Sequence, residues 1–393
     1  MITDKYLKKF NKILAPVICF FLLCLCACTN EQEYQKTLSS VEEIPKKEPS
    51  RAEIIISDMT LSDMIYQMMF LPPETISGEG RVTGFTDSLK EGLNKYPVGG
   101  IVYFSPNFTN REATVQMIAE TKAACKIAPF VGVDEEGGVV SRLGDNPNMG
   151  VTRHPNMQSI GNTGDPKRAY AVGETLGKEL TAVGFNMDFA PNADVLVNMN
   201  NTEIGSRSFG SDPYLVGSMV QNAVKGMQDN NLSATLKHFP GHGSTHADSH
   251  MGYSESGRTL EELRSCEFIP FKEGIEADFV MVSHMTLISA TEEKVPSSVS
   301  KEVITDWLKG ELGYKGIVIT DSFIMGAITS KYTPGEAAVK AVKAGADMIL
   351  ITPDPKASHD AIMAAVQSGE ITEERIKESV LKIIGLKIKR GII

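Results

Sequence analysis

The sequence predicts an α/β protein built as one (β/α)8 barrel, a closed ring of parallel strands with helices outside it. Three observations carry this expectation. From about residue 53 short apolar runs alternate with amphipathic helical stretches, as in a parallel sheet. Eight such runs can be counted. Finally, Asp134, Lys237, His238, His284 and Asp321 each stand at or just after the C-terminal end of a run. In a barrel those ends meet on one face, where polar residues read as chemistry.

The eight runs are, in order, "IYQMMFL", "GGIVYF", "PFVGVD", "FNMDFAP", "SATLKHF", "FVMVSH", "GIVITD" and "DMILIT". Helical patterns separate them, among them spans around 110 to 126 and 214 to 230. An open doubly wound sheet uses the same periodicity. No G-x-G-x-x-G follows the first strands and no P-loop pattern occurs, so a nucleotide-binding reading has little support. Trp307, the single tryptophan, sits in "VITDWLKGEL" and reads as a helix-face anchor against the barrel.

Apolar content of 42%, charge of 22% and 34 glycines in 393 residues describe a globular chain with a large core. The formal charge is −10, and without the first 27 residues, which hold four lysines and one aspartate, it is −13. That balance excludes nucleic acid as an expected partner.

Lys5, Lys8, Lys9 and Lys12 precede "ILAPVICFFLLCLCAC", and polar "TNEQEYQ" follows. Basic flank, apolar run and abrupt polar stop make an export signal. Its end, Leu25-Cys26-Ala27-Cys28, resembles the bacterial lipobox, with Cys28 as the lipidated residue and Cys26 an untypical occupant of its position. The alternative is an uncleaved membrane anchor. The expected organisation is a lipoprotein signal peptide at 1–27, a polar tether at 28–52 and a catalytic barrel at 53–393, exported and lipid-anchored to the outer face of the cell membrane. With Cys28 lipidated, Cys125 and Cys266 are expected to be free, buried thiols.

The stretch "KHFPGHGSTHADSH" (237–250) holds four of the seven histidines at four-residue spacing. A helix would stack them into a ligand ladder, but Pro240, Gly241 and Gly243 forbid that helix, so the stretch reads as a loop. A metal site gathered by the loop is the minor alternative. His242 reads as a brace within the loop and His246 as solvent-exposed.

Together "VGVDEEGGVVSRL" (131–143), "IGSRSFGSDP" (204–213), "KHFPGHGSTHADSH" and "GIVITDSFIMGAI" (316–328) resemble, in order and spacing, four successive signatures of glycoside hydrolase family 3, in its bacterial β-N-acetylhexosaminidase branch. The resemblance implies a (β/α)8 barrel and a retaining exo-β-N-acetylglucosaminidase acting on peptidoglycan fragments or related glycans, a monomer with no cofactor and no metal. It assigns Asp321 as nucleophile, and the apolar run before it suits that role by holding the carboxylate rigidly. It assigns His250, paired with Asp248, as acid/base; a carboxylate fixes the imidazole tautomer and stabilises its cation. Asp134, Arg142, Arg207, Lys237 and His238 match sugar-binding residues, and charged hydrogen-bonding groups suit a ligand rich in hydroxyls. Ser322 stands where many relatives carry a second aspartate. Alternatives within the family are an N-acetylglucosaminide phosphorylase and a β-glucosidase; outside it, a non-catalytic sugar-binding lipoprotein and a Schiff-base aldolase using Lys237.

Overall fold

A computed structural model describes residues 48–245 and 254–393. Cys28, His246, Asp248 and His250 lie outside the described residues. The unit from Arg51 to Ile393 holds the barrel.

All eight apolar runs contribute a strand. They are β1 (Met69–Leu71), β2 (Gly100–Val102), β3 (Phe130–Val133), β4 (Met187–Asp188), β5 (Ser233–Phe239), β6 (Phe279–Val282), β7 (Ile317–Ser322) and β8 (Met348–Leu350). Each pairs in parallel with its sequence neighbours, and β1 closes on β8. The (β/α)8 expectation therefore holds. A parallel two-residue pairing of Glu255–Ser256 with Thr286–Leu287 lies apart from the ring.

The first run is shorter as a strand than its apolar length suggests. Thr60 and Asp63 form a capping box, and the helix it starts, Leu61–Gln67, uses up the front of "IYQMMFL". Periodicity cannot separate a buried helix turn from a buried strand over so few residues.

Many outer helices announce themselves by their first two residues. Asp165-Pro166, Asp212-Pro213, Thr333-Pro334 and Asp354-Pro355 each place a side-chain acceptor at the N-cap and proline in the first turn. Trp307 is buried at 4% exposure and packs 6.0 Å from the Phe268 ring, as expected of an anchor, but its segment, Glu302–Glu311, is wound as a π-helix.

Inside the ring, aromatic residues take the volume that glycines release. A Cβ on Gly100 would stand 2.2 Å from the Phe70 ring, and one on Gly132 3.0 Å from both Phe70 and Phe189. The two rings meet edge to face at 5.3 Å and plug the barrel below its mouth. Cys125 and Cys266 are free, as expected, but only part-buried; burial still pushes both thiols up to about 11.

The C-terminal helix, Glu373–Lys389, is held to the strand N-terminal ends by ion pairs. Asp278, just before β6, receives Arg390 at 2.6 Å. Asp347, just before β8, is fully buried and faces Lys309 and Lys382 at 3.3 Å and Arg375 at 3.5 Å. Lys387 is buried outright, donating to Gln67 Oε1 at 2.9 Å with the Phe130 ring 5.3 Å away.

Burial pulls the Lys387 ammonium down to about 7. Its pKa is thus lower folded than unfolded, where about 10.4 is usual, so the unfolded chain binds more protons between those values. The penalty is full below pH 7 and vanishes above about pH 10. Lys387→Met should therefore flatten the rise of melting temperature between pH 7 and pH 10; an unchanged slope would show that the lysine folds charged.

Candidate active site

The C-terminal strand ends enclose a cavity of about 310 Å³ whose wall includes Asp134, Arg142, Arg207, Lys237, His238 and Asp321. These come from four different strands or the loops that follow them. More open clefts, such as one of about 550 Å³ beside Lys301 and Lys343, lie on the outer helices away from these residues.

Asp134 follows β3 directly, and the next two residues turn opposite ways. Glu135 folds back, and its carboxylate accepts the N–H groups of Arg142 and Leu143, each at 2.7 Å, and the Ser141 hydroxyl. Burial pushes this carboxyl up, against the pull of those hydrogen bonds. Asp188, at the end of β4, accepts the Glu135 N–H at 2.9 Å, and its own full burial holds it well above the usual carboxylate range. The loop so wrapped presents Arg142 to the cavity. Among the described residues the buried Arg142 Nε has no protein partner.

Glu136 turns forward and is 2% exposed. Lys237 Nζ reaches its Oε1 at 2.6 Å, while Arg207 grips both oxygens, at 2.8 Å and 3.0 Å. Lys237 also donates to Asp134 Oδ1 at 2.7 Å. Burial pushes the Glu136 carboxyl up, but the Arg207 and Lys237 cations outweigh it and hold it well below the usual range. Burial works against charged Lys237 too, and Asp134 and Glu136 outweigh it, so the ammonium stays charged. The outcome is an alternating row of acid and cation, fully paired and fixed in place.

His238 is oriented from behind. Its Nδ1 lies 2.7 Å from Asp194 Oδ2, so the proton sits on Nδ1 and leaves Nε2 facing Arg207 at 3.4 Å. Asp194 Oδ1 takes the backbone N–H of His238 at 3.2 Å and of His242 at 2.6 Å. Burial pushes Asp194 up, and His238 and His242 hold it below its ordinary value. His242 is the brace expected: buried, with Nδ1 3.0 Å from the Thr245 hydroxyl and its carbonyl accepting from Asn201 at 2.9 Å. Of the four loop histidines, these two have their Nδ1 atoms committed, and the other two lie outside the described residues.

Asp321, on β7, is part-buried at the cavity wall, and its Oδ1 accepts the Ser322 N–H at 2.7 Å. Beside it, Ile351 takes φ +47°, a backbone that a β-branched side chain rarely adopts, as the chain leaves β8 along the wall. His284 is not on the wall but buried behind it.

Sequence reasoning missed Glu136 and Asp194. Glu136 stood two residues after a strand-end aspartate inside a quoted motif, and Asp194 stood shortly after β4 in "FAPNAD". The rule that picked out Asp134 extends to Glu136 as a candidate position, without saying which way its side chain turns, and Asp194 lies six residues past the end of β4.

Fold and site together define a barrel whose charged residues converge at the strand C-terminal face, the placement that barrel enzymes use. The chain belongs to glycosyl hydrolase family 3, whose N terminal domain matches residues 60–386. It is 30% identical over 374 residues to Beta-hexosaminidase A of Pseudoalteromonas piscicida, covering 84% of this chain and 61% of that protein. It is 34% identical to a Beta-hexosaminidase of Stenotrophomonas maltophilia, covering 68% of this chain and 80% of the relative. A solved family 3 beta-N-acetylglucosaminidase from Paenibacillus sp. superposes with a TM-score of 0.79 at 38% identity, covering 85% of this chain and 63% of that one. The chain thus spans about three fifths of the length of the first and third of these proteins.

Proposed function

We propose that this protein is a retaining exo-β-N-acetylglucosaminidase that removes terminal N-acetylglucosamine from peptidoglycan fragments or related glycans. The observation that carries the reading is the convergence of Asp321 with Asp134, Arg142, Arg207, Lys237 and His238 on one cavity. A pocket floored by the barrel plug suits the end of a glycan better than its middle. The names of the hexosaminidase and N-acetylglucosaminidase relatives support the choice of sugar.

In this reading Asp134, Arg142, Arg207, Lys237 and His238 grip the sugar hydroxyls. The Asp321 carboxylate attacks the anomeric carbon and forms a glycosyl ester, while the departing oxygen takes a proton from His250, which Asp248 orients. Water then gives its proton to His250 and opens the ester, returning the β-configured sugar and free Asp321. The N-terminal signal and a lipid on Cys28 would hold the enzyme at the outer face of the cell membrane.

The test measures release of an aryl group from β-N-acetylglucosaminide and β-glucoside substrates, each with and without phosphate. Turnover of the first without phosphate is expected. Preference for the glucoside, dependence on phosphate, or no turnover would favour the glucosidase, the phosphorylase or a binding protein respectively. In the same assay His250→Ala and Asp248→Asn should slow substrates with poor leaving groups far more than activated aryl ones, since only the former need a proton.

A further inference from the structure

His284 belongs to none of the roles above, yet both its ring nitrogens are committed next to Asp321. It is 1% exposed, just past the end of β6. Nε2 lies 2.9 Å from the carbonyl oxygen of Ser322, and Nδ1 lies 2.7 Å from the Ser298 hydroxyl. A carbonyl oxygen can only accept, so Nε2 carries a proton and donates it; the Ser298 hydroxyl can then donate to Nδ1. Ser298 is itself fixed, fully buried with its N–H on the Ser283 carbonyl at 2.9 Å.

Ser322 is consequently held at both ends. Its N–H is on Asp321 Oδ1 at 2.7 Å, and its carbonyl receives His284 as well as the Met325 N–H at 3.1 Å. The Phe323 ring lies 5.7 Å from the imidazole, and the Phe323 N–H is on Leu350 of β8 at 3.0 Å. Rotation of the backbone at Ser322 would move a backbone donor to the Asp321 carboxylate. The imidazole spans β6 and β7 and resists that rotation.

We infer that His284 is a positioning residue for the nucleophile: as the Nε2–H tautomer, fixed by Ser298, it clamps the Ser322 carbonyl and thereby aims the Asp321 carboxylate at the anomeric carbon. The inference rests on the proposed role of Asp321. It requires a neutral donor at the Nε2 position and nothing more of the imidazole, so a glutamine, whose amide nitrogen reaches that place, should serve.

The experiment compares His284→Leu, His284→Gln, His284→Asn and Ser298→Ala with the parent enzyme on an activated aryl β-N-acetylglucosaminide, alongside Asp321→Ala as a control. A misaimed nucleophile costs about 10- to 100-fold in rate, so His284→Leu should lose that much kcat with KM nearly unchanged. The rate at which a slow fluorinated glycoside labels the enzyme should fall by the same factor. His284→Gln should recover most of both, Ser298→Ala should show a smaller loss, and His284→Asn, too short for the Ser322 carbonyl, should not recover. If His284→Leu does not fold, the Gln and Asn variants decide between themselves. Equal rates for those two, a loss confined to KM, or wild-type labelling in His284→Leu would overturn the inference. Substantial turnover by Asp321→Ala would instead remove its premise, whatever the His284 variants do.

Discussion

Asp321→Ala is expected to abolish turnover, by about 10⁴-fold or more, while the fold and the affinity for sugar survive. The change removes a part-buried carboxylate from the wall of the cavity, not a packing group from the aromatic plug beneath it. A slow fluorinated glycoside should leave one sugar mass on the wild-type peptide that contains Thr320 and Asp321, and none on the variant. Retention of configuration without any adduct would point to participation of the substrate's own acetamido group. A label on another residue would move the nucleophile elsewhere.

Glu136→Gln should damage both stability and binding. The side chain keeps its shape, but the buried Lys237 and Arg207 cations lose the carboxylate they share. Breaking a buried pair in this way costs about 3–5 kcal/mol, read as a lower denaturant midpoint at pH 7. The Glu136 pKa is lower folded than unfolded, so its contribution is complete above the ordinary carboxylate range and fades as pH falls through the folded value. The deficit of the variant should accordingly shrink in acid. KM should rise as well, because Lys237 and Arg207 are no longer held against one anchor at the cavity wall. A variant with wild-type midpoint and KM would mean that Asp134 alone suffices to place the lysine.

The two expectations differ in how far the sequence could see them. The position of Asp321 was legible because it ends a run of isoleucine and valine, and strands of a parallel barrel, covered on both faces, read as continuous apolar stretches; its role as nucleophile is what the family resemblance implies. The same physics made all eight strands countable and placed Asp134 and Lys237 at their ends. Proline and acceptor pairs such as Asp212-Pro213 likewise marked helix starts, since capping is decided within a few residues.

The work of Glu136 was not legible. Asp134, Glu135 and Glu136 are three consecutive acids, and beyond the end of β3 no period of two dictates which of them points where. The backbone turn decides: Glu135 folds back to hold the 141–144 segment, and Glu136 enters the cavity wall. Local sequence by itself determined the strands, the helix starts and the candidate chemical groups, because burial pattern and capping are short-range. Closure of the ring alone decided the partnerships, setting Lys237 against Asp134 across 103 residues, Arg207 against Glu136 across 71 and His284 against Ser322 across 38. Such contacts depend on barrel geometry and on where each loop turns, both long-range properties of the folded chain.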